Sequence, residues 1–447
     1  MTDRVPAKYV SGIPEQEAAQ HRAAYRATYQ RHIAEYFSRI AATPNRPKAM
    51  SYFDGIADFW GSREQELREF KARGGKVVGY TCMFAPLELI LAAGAVPLRV
   101  DSGFYDAAKL GDRLIPVEVC PVIRSTIGGK MAAFHPYLEL CDVVISSNTC
   151  DGKTKLGELL SDHLPVWMVN LPCVKESLHA REYWVTEMRE IARKLERLTG
   201  TRVTRERLHR AIGTTLRATR AFRRLQEARR GAPVIMGRDY LMAQQMLAFD
   251  DMARWTEHAE TLAAELEQRQ KDKTLVCPED TPRILLTGSP MFWPDNWKIP
   301  NLIEEGNPRG VIVADELCSG DRFMYDPVGV DDGSMKDLFA AIAERYLLPC
   351  TCPCFTHEEA GNRDRVDRIL TQVKDYRVDG IIYHVIRGCH LYAVEYMRIK
   401  KTIEREGIPI YYLDTEYSRE DAGQMKTRVE AFLEMLHTRT ASVDDLY

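Results

Sequence analysis

The sequence holds no uninterrupted apolar run of the roughly 18 residues that a membrane-spanning helix needs. Its opening residues, Met-Thr-Asp-Arg-Val-Pro-Ala-Lys, have no apolar signal core. Cysteine is sparse, 11 in 447 residues, far under the roughly 8% of a secreted disulfide scaffold. These absences predict a cytoplasmic chain with reduced thiols and no membrane contact. Neither charge sign dominates: 61 Lys and Arg face 64 Asp and Glu, a net charge of -3. No basic excess favours nucleic acid. The phosphate-binding pattern G-x-x-x-x-G-K-[ST] is missing. Residues 151–155 carry a Gly-Lys-Thr triplet without the upstream glycine, so ATP binding is not read from them. No H-E-x-x-H occurs, and no short-period repeat or low-complexity tract.

What is present is an ordinary globular composition, 45% hydrophobic and 28% charged. Such a length suits about three units. Residues 14–42 read as an amphipathic helix, 41–48 as a Pro-bearing linker and 55–73 as a second helix stopped by Gly74-Gly75. Short β-branched runs then alternate with helical ones. Residues 76–80, 96–100, 143–146 and 166–169 are strand candidates, and a second series follows at 283–287, 311–314, 380–384 and 408–413. Strands separated by helices imply parallel sheets buried on both faces. Residues 176–272 carry no strand signal and read as helical.

The expected architecture is α/β, with two Rossmann-like or flavodoxin-like lobes. The units are an N-terminal helical extension (1–75), a first lobe (76–175), a helical connecting segment (176–275) and a second lobe (276–447). The lobes resemble a weak duplication, since each third strand begins after an aspartate, Asp142 or Asp379, and leads to a cysteine, Cys150 or Cys389. The basic run 202–230 has two readings, a polyanion patch or a solvated helix face balanced by acidic 257–267. The second is favoured, because charge runs on helices are usually exposed.

The cysteines then acquire a pattern. Cys82, Cys150, Cys318 and Cys389 follow predicted strands, Cys120 follows a short apolar segment, and Cys350, Cys352 and Cys354 follow a helix. The carboxyl edge of an open α/β sheet is where ligands bind. Cys150 and Cys389 also stand at predicted helix starts, where a positive dipole end lowers a thiol pKa. Structural zinc is expected on closely paired cysteines, and only 350–354 is locally paired, so the scatter suits an iron–sulfur centre in a cleft better. The plainer reading of any single cysteine is a buried small hydrophobe, and Cys141, Cys173 and Cys277 are left with it. His384 and His390 flank Cys389, each a proton carrier or a hydrogen-bonded core histidine. Glu88 is a general base or a helix N-terminal charge.

Five segments resemble the 2-hydroxyacyl-CoA dehydratase / benzoyl-CoA reductase superfamily: 80–94, 119–125, 148–153, the pair 317–320 with 349–352, and a C-terminal block at 389–395, 414–418 and 423–434. The resemblance implies two-lobed catalytic subunits with an iron–sulfur cluster in the cleft, driven by a separate ATP-hydrolysing iron–sulfur activator. In dehydratases three cysteines, matching Cys82, Cys120 and Cys389, bind one [4Fe-4S] cluster. The double-cubane branch, with an [8Fe-9S] cluster, needs more ligands, and Cys150, Cys318 and Cys352 stand where that branch has them. Cys350 and Cys354 are alternatives to Cys352. This sequence looks nearest that branch. It departs at residues 134–137, where His135 stands in place of an expected cysteine.

The resemblance implies a low-potential reductase component or, alternatively, a dehydratase or benzoyl-CoA reductase subunit acting on a CoA thioester. His390 and Glu88 are the candidate catalytic residues. A homodimer is implied by the first reading, a heterodimer with a paralogous subunit by the second.

Overall fold

The computed structural model describes residues 13–324, 326–355 and 363–444, with side chains to 438. Two four-stranded parallel sheets form two lobes. The first is built from Val77–Tyr80 (β1), Val96–Arg99 (β2), Val143–Ser147 (β3) and Val166–Val169 (β4), in the order β2-β1-β3-β4. The second is built from Arg283–Gly288 (β5), Val311–Glu316 (β6), Gly380–Ile386 (β7) and Ile410–Thr415 (β8), in the order β6-β5-β7-β8. All eight strands fall on the expected β-branched runs, with ends displaced by a residue or two. Strands β1, β3, β5, β6 and β7 are buried along their whole length. Both faces are covered, so the sequence runs are continuous and not alternating.

The two lobes repeat one device as well as one strand order. Asp142 sits just before β3; its amide donates to the Val77 carbonyl at 2.8 Å, and its carboxylate accepts from the Val77 amide at 2.8 Å. Asp379 does the same before β7, at 2.8 Å to the Arg283 carbonyl and 2.7 Å from the Arg283 amide. Each aspartate registers the third strand against the first, which is why both third strands open on that residue.

The helix expected over 55–73 is two helices, Met50–Ala57 and Ser62–Ala72. Asp58 breaks it: its side chain accepts from the Trp60 amide at 3.0 Å and its carbonyl from the Gly61 amide at 2.9 Å. This local side-chain turn competes with the helix ladder. The connecting segment is helical as expected, with Leu178–Thr199, Arg205–Glu227, Gly237–Met246 and Met252–Asp272. The basic helix Arg205–Glu227 lies against Met252–Asp272 and pairs Arg217 with Glu260 at 3.4 Å and Arg224 with Glu267 at 2.7 Å. Two arginines of the run are thus balanced by the acidic stretch, as the second reading expects.

The N-terminal helix Glu15–Ala41 buries Tyr25, Tyr29, Ile33, Tyr36 and Ile40, a stripe at helical spacing. The Tyr29 hydroxyl donates to the Ala57 carbonyl at 2.5 Å and accepts from Trp293 Nε1 at 3.0 Å. This helix therefore shares the main apolar core with both lobes and the connecting helices. Among the described residues no helix is long and apolar enough to cross a membrane.

A candidate thiol centre between the lobes

Cys82 follows β1, Cys318 follows β6, and Cys150 and Cys389 follow β3 and β7 as the residues capping helices Asp151–Ser161 and His390–Arg405. Cys120 caps Pro121–Met131; the apolar stretch before it is irregular. The lobes meet at Gly388. Its φ of +81° is a left-handed conformation, and a Cβ there would lie 2.4 Å from the Glu118 carbonyl oxygen and 2.7 Å from the Cys120 nitrogen. Only glycine lets the turn after β7 lie directly on the segment before Cys120. That contact brings together two thiols, one from each lobe, that shift each other's acidity: Cys389 lowers the pKa of Cys120, and Cys120 raises that of Cys389.

From this pair the thiols continue across the interface. Cys150 feels the charge of Cys389 and Cys82, and Cys82 in turn acts on Cys318 and Cys354. Cys352 acts on Cys318 and Cys350, and Cys354 lowers the pKa of Cys352. Eight of the eleven cysteines thus form one electrostatically linked series. Among the described residues no three His, Cys, Asp or Glu side chains are disposed to hold a single metal ion. The donor set is soft sulfur and suits a thiolate-held iron–sulfur group whose ligands are spread over several irons.

Neighbouring thiols and burial set the thiol acidities. Cys120 is lowered chiefly by Cys389, which is itself raised well above the usual thiol range. Cys352 is lowered to about 6, chiefly by Cys354. Burial pushes Cys318 up to about 11 and raises Cys350. The helix-start expectation for Cys150 and Cys389 is reversed. Cys150 is raised because burial outweighs the 3.4 Å bond it accepts from the Lys153 amide, and Cys389 chiefly because Cys120 raises it.

Buried cations surround the series. Lys153 pairs with Asp101, which Arg99 Nε also meets at 2.9 Å, and the Asp101 carboxylate accepts from the Cys82 amide at 3.1 Å. Cys82 itself has a φ of +69°. Arg322 and Arg365 share Glu316, each at 3.1 Å. Lys175, from the loop after β4, donates to the carbonyls of Leu348 at 3.0 Å and Cys350 at 2.6 Å and reaches Asp364 at 2.5 Å, so a first-lobe lysine holds the 350–354 loop. Sequence reasoning passed over Arg99, Asp101, Lys175, Arg322 and Gly388. Asp101, directly after β2, had the same strand-end signal as the cysteines.

The other candidates are placed as follows. Glu88 is buried, and its carboxylate accepts from the Tyr346 hydroxyl at 2.9 Å, a tie between helices Leu87–Ala92 and Met335–Leu347. His390 is exposed in the first turn of its helix. His384 is a core residue of β7, 2.6 Å from Thr415 Oγ1, and burial lowers its pKa to about 3. His135 stacks on Phe59 at 5.3 Å within an aromatic core, both ring nitrogens buried without a partner, and its pKa falls to about 4. Cys141 donates to the Tyr137 carbonyl at 3.1 Å, Cys277 packs in the second-lobe core and Cys173 is exposed.

Comparison with known proteins adds an independent line. The family model described as 2-hydroxyglutaryl-CoA dehydratase, D-component, matches residues 82–436. A putative dehydratase subunit, YjiM of Escherichia coli (strain K12), is 30% identical over 374 residues, covering 83% of this chain and 94% of that protein. The beta subunit of (R)-2-hydroxyglutaryl-CoA dehydratase from Acidaminococcus fermentans is 22% identical, covering 83% and 95%. A benzoyl-CoA reductase subunit from Thauera aromatica is 22% identical, covering 78% and 87%. The match begins at Cys82, just after β1, and takes in all eight cysteines of the linked series, and the chain belongs to the 2-hydroxyglutaryl-CoA dehydratase D-component family, within the 2-hydroxyacyl-CoA dehydratase / benzoyl-CoA reductase superfamily.

Proposed function

We propose that this chain is an iron–sulfur-dependent reductase component that receives single electrons from a separate ATP-hydrolysing activator. The observation that carries the reading is the set of electrostatically linked thiols at strand ends and helix starts of both lobes, more than one four-iron cluster needs. Cys82, Cys120, Cys150, Cys318, Cys352 and Cys389 are the proposed ligands, with Cys350 and Cys354 as alternatives to Cys352. When bound, the cluster supplies single-electron transfer and, at an open position, Lewis acidity. The chain's own residues do the rest. Buried Arg99, Lys153 and Arg322 favour thiolate over thiol. Ser289 favours the anion of Cys389. His390, exposed beside Cys389, passes protons between solvent and that end of the series.

A second reading is favoured by the relatives' names: a catalytic subunit of a 2-hydroxyacyl-CoA dehydratase or benzoyl-CoA reductase, acting on a CoA thioester with a paralogous subunit. Anaerobic purification with iron and acid-labile sulfide counts separates the two. About eight irons per chain supports the first and about four the second; zinc or no metal sinks both. Cys389→Ala is expected to lose the cluster absorbance near ~400 nm and Cys173→Ala to keep it. An unchanged Cys389→Ala spectrum refutes the ligand assignment.

A further inference from the structure

Glu316 ends β6, two residues before Cys318, and is fully buried. Each oxygen of its carboxylate meets two groups. Oε1 accepts from the Thr351 hydroxyl at 2.8 Å and faces Arg322 Nε at 3.1 Å. Oε2 accepts from the Thr287 hydroxyl at 2.8 Å and from Arg365 Nε at 3.1 Å. An amide in this place would offer one oxygen only and turn a donor toward a hydroxyl or a guanidinium. Four donors converging on one side chain require the carboxylate.

The partners reach each second-lobe segment that carries a proposed ligand. Thr351 stands between Cys350 and Cys352. Arg322, shortly after Cys318, donates to the Tyr392 hydroxyl, and Arg365 donates to Glu395; both acceptors lie on the helix that Cys389 caps. Lys175 holds the Cys350 carbonyl from the first lobe at 2.6 Å, so residues 350–352 are fixed from two sides, and Glu316 supplies the second. Stability alone does not call for such a network, since buried ion pairs gain little over apolar packing. The first lobe repeats the device. Asp101 follows β2, the strand that matches β6 in sheet order. Its carboxylate meets the Cys82 amide at 3.1 Å, Arg99 at 2.9 Å and Lys153 of the helix that Cys150 caps.

We propose that Glu316 is a positioning residue, which holds the segments of Cys318, Cys352 and Cys389 in one arrangement before a cluster binds; this rests on the cluster reading above. Thr351→Val keeps the side-chain shape and removes the hydroxyl, and Thr351→Ser restores the hydroxyl. After anaerobic reconstitution of the full chain with ferrous iron and sulfide, wild type and Thr351→Ser are expected to share one visible and electron paramagnetic resonance spectrum. Thr351→Val, with unchanged circular dichroism, is expected to give a different spectrum and fewer irons per chain. Glu316→Gln, the direct but more disruptive change, should match Thr351→Val. In the metal-free chains, iodoacetamide is expected to modify Cys350 and Cys352 roughly tenfold faster in Thr351→Val than in wild type or Thr351→Ser, with Cys120 unchanged. A wild type that takes up no iron refutes the cluster reading and leaves alkylation to decide the positioning role. Equal alkylation of wild type and Thr351→Val, a loaded Thr351→Val with the wild-type spectrum and iron count, or a Thr351→Ser as altered as Thr351→Val would each overturn it.

Discussion

Substituting Gly388 tests whether one close approach sets the thiol centre. Gly388→Ala meets two penalties. An L-residue at a φ of +81° carries left-handed strain of about 1–2 kcal/mol. The new Cβ also lies 2.4 Å from a backbone oxygen, against an ordinary carbon–oxygen contact of roughly 3.3 Å. The lobes must part locally by about 0.9 Å, because no flexible side chain can yield in place of backbone, and overpacking of that kind costs a further ~1–3 kcal/mol. Gly200→Ala is the matched control. Gly200 has a φ of +70° at the end of Leu178–Thr199, and its Cβ would meet nothing within 4 Å, so only the strain applies. Urea unfolding of the metal-free variants, with unchanged m-values, is expected to show Gly388→Ala weaker than Gly200→Ala by about 1–3 kcal/mol. Gly388→Ala should also lose capture of the Cys120–Cys389 pair by a dithiol-bridging arsenical. Equal stability losses, with that capture intact, would refute the argument that backbone contact at Gly388 joins the lobes.

Two further outcomes follow from local geometry. Cys82 has a φ of +69°, so Cys82→Gly should leave the metal-free chain about 1 kcal/mol more stable than Cys82→Ala by urea unfolding, since both remove the thiol and only one relieves the strain; equal stabilities would refute strain at Cys82. His384 titrates at about 3 when folded and near ~6.5 when unfolded, so the unfolded state takes up the proton first and stability falls as pH drops below the unfolded value towards the folded one. Between pH ~7.5 and ~5 the native chain should lose about 2 kcal/mol relative to His384→Asn, and parallel pH profiles for the two proteins would contradict a neutral buried imidazole.

Much of the fold was legible because parallel strands covered on both faces leave an unmistakable trace, continuous β-branched runs between helices. Even the duplication was legible, since Asp142 and Asp379 do the same registering work in each lobe. The break at Asp58 was not, because apolar spacing continues through Phe59 and Trp60, and the turn depends on one side-chain acceptor. At the site, strand-end placement singled out Cys82, Cys150, Cys318 and Cys389 but not Cys120 or the 350–354 cysteines, and left Cys141 and Cys277 to the cores where they lie. Thiol acidity was misread at Cys150 because a dipole argument sees the helix start and not the burial around it. His135 posed a ligand question that sequence alone could not settle; its ring belongs to an aromatic core with Phe59 and Tyr137. The approach of Gly388 to Cys120 joins segments from different lobes, and no local pattern announces it.

The buried charges around the thiols require an explanation that stability does not supply. Arg99 and Lys153 converge on Asp101, and Arg322 and Arg365 on Glu316. Buried ion pairs of this kind are generally no more stabilising than a well-packed apolar replacement. Arg99 and Lys153 share one carboxylate, Arg322 and Arg365 share Glu316 with Arg365 also on Glu395, and each set faces sulfur. Arg99 acts on Cys82 and Cys318, Lys153 on Cys82 and Cys120, Arg322 on Cys318, Cys350 and Cys352, and Arg365 on Cys352. Burial by itself keeps a thiol protonated, as the rise of Cys141 to about 12 illustrates even with Lys71 and Lys130 acting on it. An interior meant to hold several sulfur anions must therefore carry fixed positive charge, and the shared carboxylates hold those cations in place without cancelling them. Fixed positive charge thus stands beside the interface thiols, while burial still raises Cys318 and Cys350 as it raises Cys141 and Cys277 in the cores.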